Sequence, residues 1–139
     1  GQGTTVVSPV AMAGAAAAVA TGRQVFPRLI VDPAPVPAGT PAEGPELRAE
    51  AAAALRSMMR AVVTAGTAEP LGRFPGVHGK TGTAEFDSDD PSKTHAWFVG
   101  YQGNIAFAVF VENGGLSSTT AVPVAASFLE ELAASGGAR

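Results

Sequence analysis

The 139-residue sequence has no cysteine, only two histidines and one tryptophan, and charged residues make up 15% of it. Without cysteine, neither a disulfide framework nor a thiolate metal site is available. His78 and His95 stand seventeen positions apart and do not have the spacing of a zinc-binding HExxH helix. We therefore predict no metal ion and no cofactor.

Positive charge is also sparse. Nine lysines and arginines are spread along a chain of net charge −3, so no basic stripe can neutralise a phosphate backbone. The longest apolar run, residues 11–20, is rich in alanine and shorter than the roughly 18 residues of a membrane span. These features argue against a nucleic-acid partner and against a membrane-spanning helix within these residues. The chain opens at Gly1 without a charged leader, so we expect any membrane anchor to lie upstream.

Two helices are predicted in the first half. Ser8-Pro9 is typical of an N-cap followed by proline at the first helical position, and helix formers continue to Ala20, with Gly22 as the predicted stop. A proline-rich loop over residues 31–44 precedes a second helix, from Pro45 to Gly66. The residues predicted to form its apolar stripe are Leu47, Ala51, Leu55, Met58, Met59, Val62 and Val63, with Arg48, Arg56 and Arg60 off the stripe.

The second half has strand character. Residues 95–101 and 104–111 are apolar runs joined by a tight turn at Gln102-Gly103. The second run is continuously hydrophobic, which indicates a sheet covered on both faces. A last helix begins in the cluster 117–120, with Pro123 in its first turn. The predicted class is α+β, an antiparallel sheet with helices on both faces. The last helix is predicted to bury Val122, Val124, Ala125, Phe128, Leu129 and Leu132.

The motif Gly79-Lys80-Thr81-Gly82-Thr83 carries the most chemistry. A phosphate-binding loop would need glycine where the chain has Phe74, and a helix directly after the lysine, where Gly82 is unfavourable. As a strand, the motif places Thr81 and Thr83 on one face, about 6 to 7 Å apart, so two hydroxyls can flank one carboxylate. Gly82 leaves room for another backbone, and an extended peptide can add to this strand.

Lys80 brings positive charge to a place where a carboxylate and a developing oxyanion would both need it. Side-chain alternation puts it on the face opposite the threonines, and the sequence does not show how it reaches the same ligand. The alternative interpretation is an ordinary edge strand with a solvated lysine and β-favouring threonines. The motif alone does not decide between the two.

The surrounding segments favour the functional interpretation. Lys-Thr-Gly resembles the third signature of the penicillin-binding proteins and serine β-lactamases, and the longer string over residues 79–85 is more similar to the high-molecular-weight transpeptidases. Three other stretches agree in the expected order, namely residues 1–13, 95–101 and 111–115. The resemblance spans nearly the whole chain. It implies that residues 1–139 are the C-terminal part of one transpeptidase domain, with a partial β-lactamase/transpeptidase-like fold.

Such a domain implies a peptidoglycan D,D-transpeptidase that cross-links the cell wall. A serine attacks the D-Ala-D-Ala bond of a stem peptide, forms an acyl-enzyme and passes the acyl group to an amine, and β-lactams mimic that dipeptide. Carried over by position, Lys80 would handle protons and charge. Thr81, Gly82 and Thr83 would bind the carboxylate, and the backbone N–H of Thr83 would be an oxyanion donor.

The resemblance also implies partners and a location. The expected partners are peptidoglycan stem peptides, β-lactam antibiotics and a membrane glycosyltransferase. The expected location is the extracytoplasmic face of the bacterial membrane, reached through the upstream anchor. A transpeptidase-like domain that has lost catalysis, and serves as a scaffold or sensor for β-lactam or peptidoglycan, is the alternative function.

The nucleophile is not among these residues. A Ser-x-x-Lys motif needs serine three positions before lysine, yet Lys80 and Lys93 follow Val77 and Asp90 at that distance. Ser57 comes nearest but precedes an arginine, which cannot act as a deprotonated base. No Ser-x-Asn middle motif is present either. We expect both motifs upstream, in the missing N-terminal part of the same protein, or in a companion chain.

Three polar or aromatic features near the motif have two interpretations each. His95 can face the cleft, although a hydrogen-bonded structural histidine is the more common case. Trp97 is either core or groove wall. The polar loop 87–93 is positioned to border the cleft, although most such loops are simply solvated.

Overall fold

The sheet β3-β4-β5 organises the chain in the computed structural model, which describes residues 5–27 and 43–136. All its strands are antiparallel, in the order of the sequence. A short pair, β1 and β2, lies apart from it. The elements are α1 (Pro9–Thr21), β1 (Arg23–Val25), β2 (Glu43–Glu46), α2 (Ala49–Ala65), a 3-10 helix (Glu69–Arg73), β3 (His78–Glu85), β4 (Thr94–Gln102), β5 (Ile105–Val111) and α3 (Ala121–Ala134).

Helices cover both faces of this sheet, which confirms the predicted α+β class. One face packs against α2, the 3-10 helix and α3 in a core that includes Val63, Leu71, Phe98 and Leu129. The other packs against α1, where Ala16 meets Val99 and Tyr101 of β4. No helix in the described ranges is both long and apolar enough to cross a bilayer.

Local signals set the limits of α1 as predicted. The Ser8 hydroxyl accepts a hydrogen bond from the Ala11 N–H at 3.1 Å, and Pro9 stands in the first turn. The helix ends at Gly22, whose φ of 82° is in the left-handed region and whose N–H donates to the Ala18 carbonyl.

The second helix begins later than predicted, at Ala49 rather than near Pro45. The reason is the strand pairing that precedes it. Glu43–Glu46 pairs with Arg23–Val25, and the Arg23 guanidinium bonds the Glu46 carboxylate at 3.0 Å across the pair. The predicted loop over residues 31–44 therefore ends in a strand, while residues 31–42 lie outside the described residues.

The buried face of α2 also differs from the predicted stripe. Ala52 and Val63 are buried, whereas Leu55 is 39% and Met58 57% exposed, and Leu47 precedes the helix on the surface. The reason lies in two arginines that were predicted to point away.

Arg56 and Arg60 bind backbone carbonyls of neighbouring elements. Arg56 donates from Nε to the Val19 carbonyl at 2.8 Å and from Nη2 to the Ala20 carbonyl at 3.2 Å. These carbonyls end α1 and have no acceptor role left inside the helix, so a cation stabilises them. Arg60 donates to the Val77 carbonyl at 2.6 Å, just before β3. Long arginine stems can lie inside a helix interface while their heads hydrogen-bond.

The β4–β5 hairpin is confirmed with a shift of one residue. Gln102 belongs to β4 and pairs with Ile105, so the turn residues are Gly103 and Asn104. Gly103 has φ of 54°, the left-handed conformation that two-residue hairpin turns require.

Helix α3 begins directly after the predicted cluster, with Pro123 in its first turn. Val122, Ala125 and Leu129 are buried as predicted. The prediction is wrong for Val124 and Phe128, which are 49% and 39% exposed. The sheet is only three strands wide in the described residues, so α3 has a narrow surface to cover.

Two glycines make the space for the largest buried side chain. Gly79 and Gly100 face each other across β3 and β4, and Phe98 is fully buried beside them. A Cβ on Gly79 would lie 2.1 Å from the Phe98 ring, and one on Gly100 would lie 2.9 Å from it. The ring therefore fills the volume that two side chains would otherwise occupy.

The packing around Tyr101 leaves its hydroxyl without a hydrogen bond within residues 5–27 and 43–136. Its ring stacks on His78 at 4.7 Å, and its hydroxyl is buried with no hydrogen-bond partner among the described residues. Burial raises the pKa of Tyr101, although the nearby charge of Arg56 acts in the opposite direction.

Replacing Tyr101 by phenylalanine is expected to stabilise the protein by about 1 kcal/mol, because it removes an unpaired buried hydroxyl and keeps the ring. The unfolded tyrosine ionises near pH 10, before the folded one, so the wild type loses stability as the pH rises above about 10. The variant lacks that loss. Chemical denaturation at neutral pH and near pH 11 measures both effects, and a less stable variant would show that the hydroxyl has a partner.

Candidate functional site

Within the described residues, no strand pairs with the edge of β3 that faces away from β4. β3 is the outer strand of the sheet within the described residues. The Phe86 N–H donates to the Lys93 carbonyl at 3.3 Å, so residue 86 points toward β4. Because backbone direction alternates along a strand, the N–H and C=O groups of Thr81, Thr83 and Glu85 point outward. The N–H of Thr83 is therefore directed away from β4.

The side chains of Thr81 and Thr83 share one face of this strand, as alternation predicts. Thr81 lies opposite Phe98 and Thr83 opposite Ala96 in the register, on the face covered by α3. Lys80 lies opposite Val99, on the face covered by α1.

Lys80 nevertheless reaches the edge that the threonines border. Its Nζ donates to the Thr81 carbonyl at 2.6 Å, and that carbonyl points away from β4. The flexible four-carbon stem carries the ammonium around the strand. The arrangement explains what alternation alone left open, namely how a lysine on one face and two threonines on the other can meet a single ligand.

The hydroxyls of Thr81 and Thr83 each lie within hydrogen-bond distance of the hydroxyl of another residue. Thr67, just after α2, lies with its Oγ1 at 2.6 Å from that of Thr81. Ser117, which precedes α3, lies with its Oγ at 2.7 Å from Thr83 Oγ1 and donates to the Gly82 carbonyl at 2.5 Å. Sequence reasoning missed both partners. Neither stands in a recognisable motif with its threonine, since they are 14 and 34 residues away.

Gly82 differs from Gly79 in what the fold demands of it. A Cβ on Gly82 would meet the Trp97 Cβ at 3.5 Å, which is ordinary contact, and nothing else among the described residues lies closer. Its φ is not in the left-handed region. The folded chain therefore does not require glycine at this position, and the space it leaves faces a groove.

This groove has a volume of about 1010 Å³ and wraps around the edge of β3 onto the α1 face of the sheet. Its wall on the sheet is aromatic, with the Trp97 and Phe110 rings 4.5 Å apart. Its opposite wall is α1. The residues that line it include Met12, Ala16, Val19, Met59, Thr67, Lys80, Thr81, Gly82, Thr83, His95, Trp97, Val99, Phe110, Leu116 and Ser117.

His95 and Trp97 both belong to the groove wall. The Nδ1 of His95 lies 2.5 Å from the Glu112 carbonyl, which can only accept, so Nδ1 carries the hydrogen. The ring stacks on Phe86 at 4.3 Å. His95 is thus a hydrogen-bonded structural residue that also lines the cleft.

The polar loop 87–93 bonds mainly to itself. Lys93 donates to Asp87 at 2.6 Å, and Asp90 accepts from the N–H and the hydroxyl of Ser92. These contacts lower the pKa of Asp87 and of Asp90. The groove lining reaches Glu85 but includes no residue of this loop. Across residues 5–27 and 43–136, no group of three potential metal ligands comes together.

Comparisons with known proteins identify the family of this chain. A family model described as the penicillin-binding protein transpeptidase domain matches residues 1–133. No curated protein matches the chain significantly. The structure is similar to that of Pseudomonas aeruginosa PBP2, solved in complex with WCK 5153, with a TM-score of 0.68 and 31% identity over 90% of this chain.

A second similar structure is a chain from a peptidoglycan synthase complex, described as coordinating polymerization and crosslinking. Its TM-score is 0.66, with 28% identity over 90% of this chain. The present chain spans only 29% of the PBP2 chain and 23% of the synthase-complex chain. The family match extends over nearly all of the sequence and agrees with the fold. The chain belongs to the penicillin-binding protein transpeptidase domain family.

Proposed function

We propose that this chain supplies the substrate-binding strand of a peptidoglycan D,D-transpeptidase that works through an acyl-serine. The single observation that carries the proposal is the outward edge of β3. It presents the Thr83 N–H, the hydroxyls of Thr81 and Thr83, and the Lys80 ammonium within one short segment. That set matches an acyl donor with a terminal carboxylate next to a scissile carbonyl.

In this mechanism the terminal carboxylate of D-Ala-D-Ala, or that of a β-lactam, accepts hydrogen bonds from Thr81 and Thr83. Lys80 offsets the negative charge in a partly water-excluded groove, where such charges interact more strongly than in water. The serine gives its proton to the lysine of the Ser-x-x-Lys motif as its oxygen adds to the carbonyl carbon, and the resulting oxyanion is held by the Thr83 N–H and the serine's own N–H. When the tetrahedral intermediate collapses, the C–N bond breaks, the nitrogen takes up that proton, and D-alanine leaves.

The serine belongs to a segment outside these 139 residues. The groove between α1 and the sheet suits such a segment, because its aromatic wall stays partly exposed, with Phe110 at 38%. An apolar helix seated there would bury these rings and bring its own side chains beside Gly82 and Thr83. We propose that this segment is the N-terminal part of the same protein, which completes the single domain.

The remaining parts of the proposal concern partners and place. Stem peptides and β-lactams are the ligands that the edge of β3 suits. The similarity to a chain of a peptidoglycan synthase complex supports a membrane glycosyltransferase as partner. We place the enzyme on the extracytoplasmic face of the bacterial membrane, where its substrate lies, held by an anchor upstream of this chain.

Two glycine substitutions separate folding from function. Gly82→Ala is expected to leave the melting temperature unchanged and to slow acylation by a penicillin at least about tenfold, because the added methyl enters space that the folded chain leaves empty. Gly79→Ala is the matched control and is expected to lose about 1–3 kcal/mol of stability, because its Cβ overlaps the Phe98 ring. An acylation rate for Gly82→Ala equal to that of the wild type would contradict the proposed use of this space.

Labelling of the full-length protein with a fluorescent penicillin, followed by peptide mapping, tests the mechanism directly. The label is expected on a serine of a Ser-x-x-Lys motif outside residues 1–139. The Ser57→Ala variant is the control, since Ser57 is the nearest approach to that motif in this chain, and it should label as the wild type does. Folded protein that takes no label would favour the scaffold or sensor alternative. A label on Ser57 would contradict the proposed division of the site.

A further inference from the structure

We propose that Ser117 is a positioning residue that sets the direction of the Thr83 hydroxyl hydrogen, and that it redirects this hydrogen when an anionic ligand binds. The inference rests on the proposed function, because it concerns the same carboxylate site. Ser117 is 3% exposed, and its side chain contacts Thr83 and the Gly82 carbonyl. It acts through Thr83.

Three contacts define its environment. The Ser117 Oγ lies 2.7 Å from Thr83 Oγ1 and 2.5 Å from the Gly82 carbonyl oxygen, and the Ser117 N–H lies 3.4 Å from Thr83 Oγ1. The serine hydroxyl has one hydrogen and two neighbours that can accept it. Two arrangements of hydrogens are therefore available on the same heavy atoms.

In the first arrangement, Ser117 donates to the Gly82 carbonyl and Thr83 donates to Ser117. The Thr83 hydroxyl then presents only lone pairs outward. A carboxylate accepts hydrogen bonds and donates none, so this arrangement opposes an anionic ligand.

In the second arrangement, Ser117 donates to Thr83 Oγ1, and Thr83 turns its own hydrogen toward the ligand. In this arrangement the Gly82 carbonyl loses its hydrogen bond from Ser117. It points toward β4, however, where strand pairing supplies a backbone N–H donor. No buried group is left unpaired, so the switch costs little. A hydrogen bond to a charged acceptor is stronger than one to a neutral carbonyl, and the ligand therefore drives the change.

The pair at Thr81 lacks this second acceptor. Thr67 is exposed, and its hydroxyl contacts Thr81 Oγ1 without a bond to the motif backbone. Water can replace such a partner at the exposed Thr67, whereas Ser117 is 3% exposed. Ser117 is therefore the position at which removal of a hydroxyl exposes the effect.

The test uses the full-length protein with its Ser-x-x-Lys segment and measures the second-order acylation rate with a penicillin and with its methyl ester. Ser117→Ala is expected to slow acylation by the free acid about tenfold, because alanine cannot donate to Thr83 Oγ1 and the Thr83 hydrogen is no longer directed toward the carboxylate. The ester rate is expected to change less than about twofold, because its neutral carbonyl is a weaker acceptor. Ser127→Ala, an exposed serine of α3, is the matched control. Melting temperatures show that both variants are folded.

A double substitution checks that Ser117 acts through Thr83. Thr83→Val keeps the backbone N–H and the side-chain shape but removes the hydroxyl, so adding Ser117→Ala is expected to produce no further loss. Additive losses would overturn the inference, as would equal losses for acid and ester or an unchanged acid rate. A wild-type protein that neither compound acylates would instead overturn the proposed function, and this inference with it.

Discussion

The packing of Phe98 between Gly79 and Gly100 is the constraint on which the site depends. The ring lies in a slot that only a glycine pair leaves open, so β3 can slide neither forward nor back along β4 without driving a Cβ into it. A slip of one residue would also exchange the faces of the strand. The register therefore fixes at once which side Thr81 and Thr83 occupy and which N–H groups point outward.

An open strand edge is ordinarily a liability, because its unpaired groups invite aggregation. Here the edge is short, carries a lysine, and is backed on one side by hydroxyl pairs. Thr67 lies in the connection that follows α2, and Ser117 lies in the connection that follows β5. Both connections bring a hydroxyl to β3. The hydrogen-bond donors of β3 therefore have fixed directions, because the packing that stabilises the sheet also positions them. In this way one motif serves both the fold and the ligand.

Features coded by neighbouring residues could be predicted from the sequence. The Ser8-Pro9 start of α1, its end at Gly22 and the alternation of β3 each depend on a few adjacent positions. Contacts between distant segments could not. The inward arginines Arg56 and Arg60 satisfy carbonyls that belong to other elements, and a hydrophobic-stripe argument assigns such charges to solvent. The β1–β2 pair escaped for the same reason, since its strands are too short to show a period.

The site itself divides along the same line. The motif glycines look equivalent in the sequence, yet the structure gives them opposite roles, since Gly79 makes room for a ring inside the protein and Gly82 leaves room outside it. Only the second can matter to a ligand without mattering to folding. Lys80 starts on the face opposite Thr81 and Thr83, yet its long side chain carries the ammonium to the edge that they border. Strand alternation thus predicts where side chains start, and side-chain length decides where they act. The chemistry of this strand therefore lies along its edge, where its two faces meet.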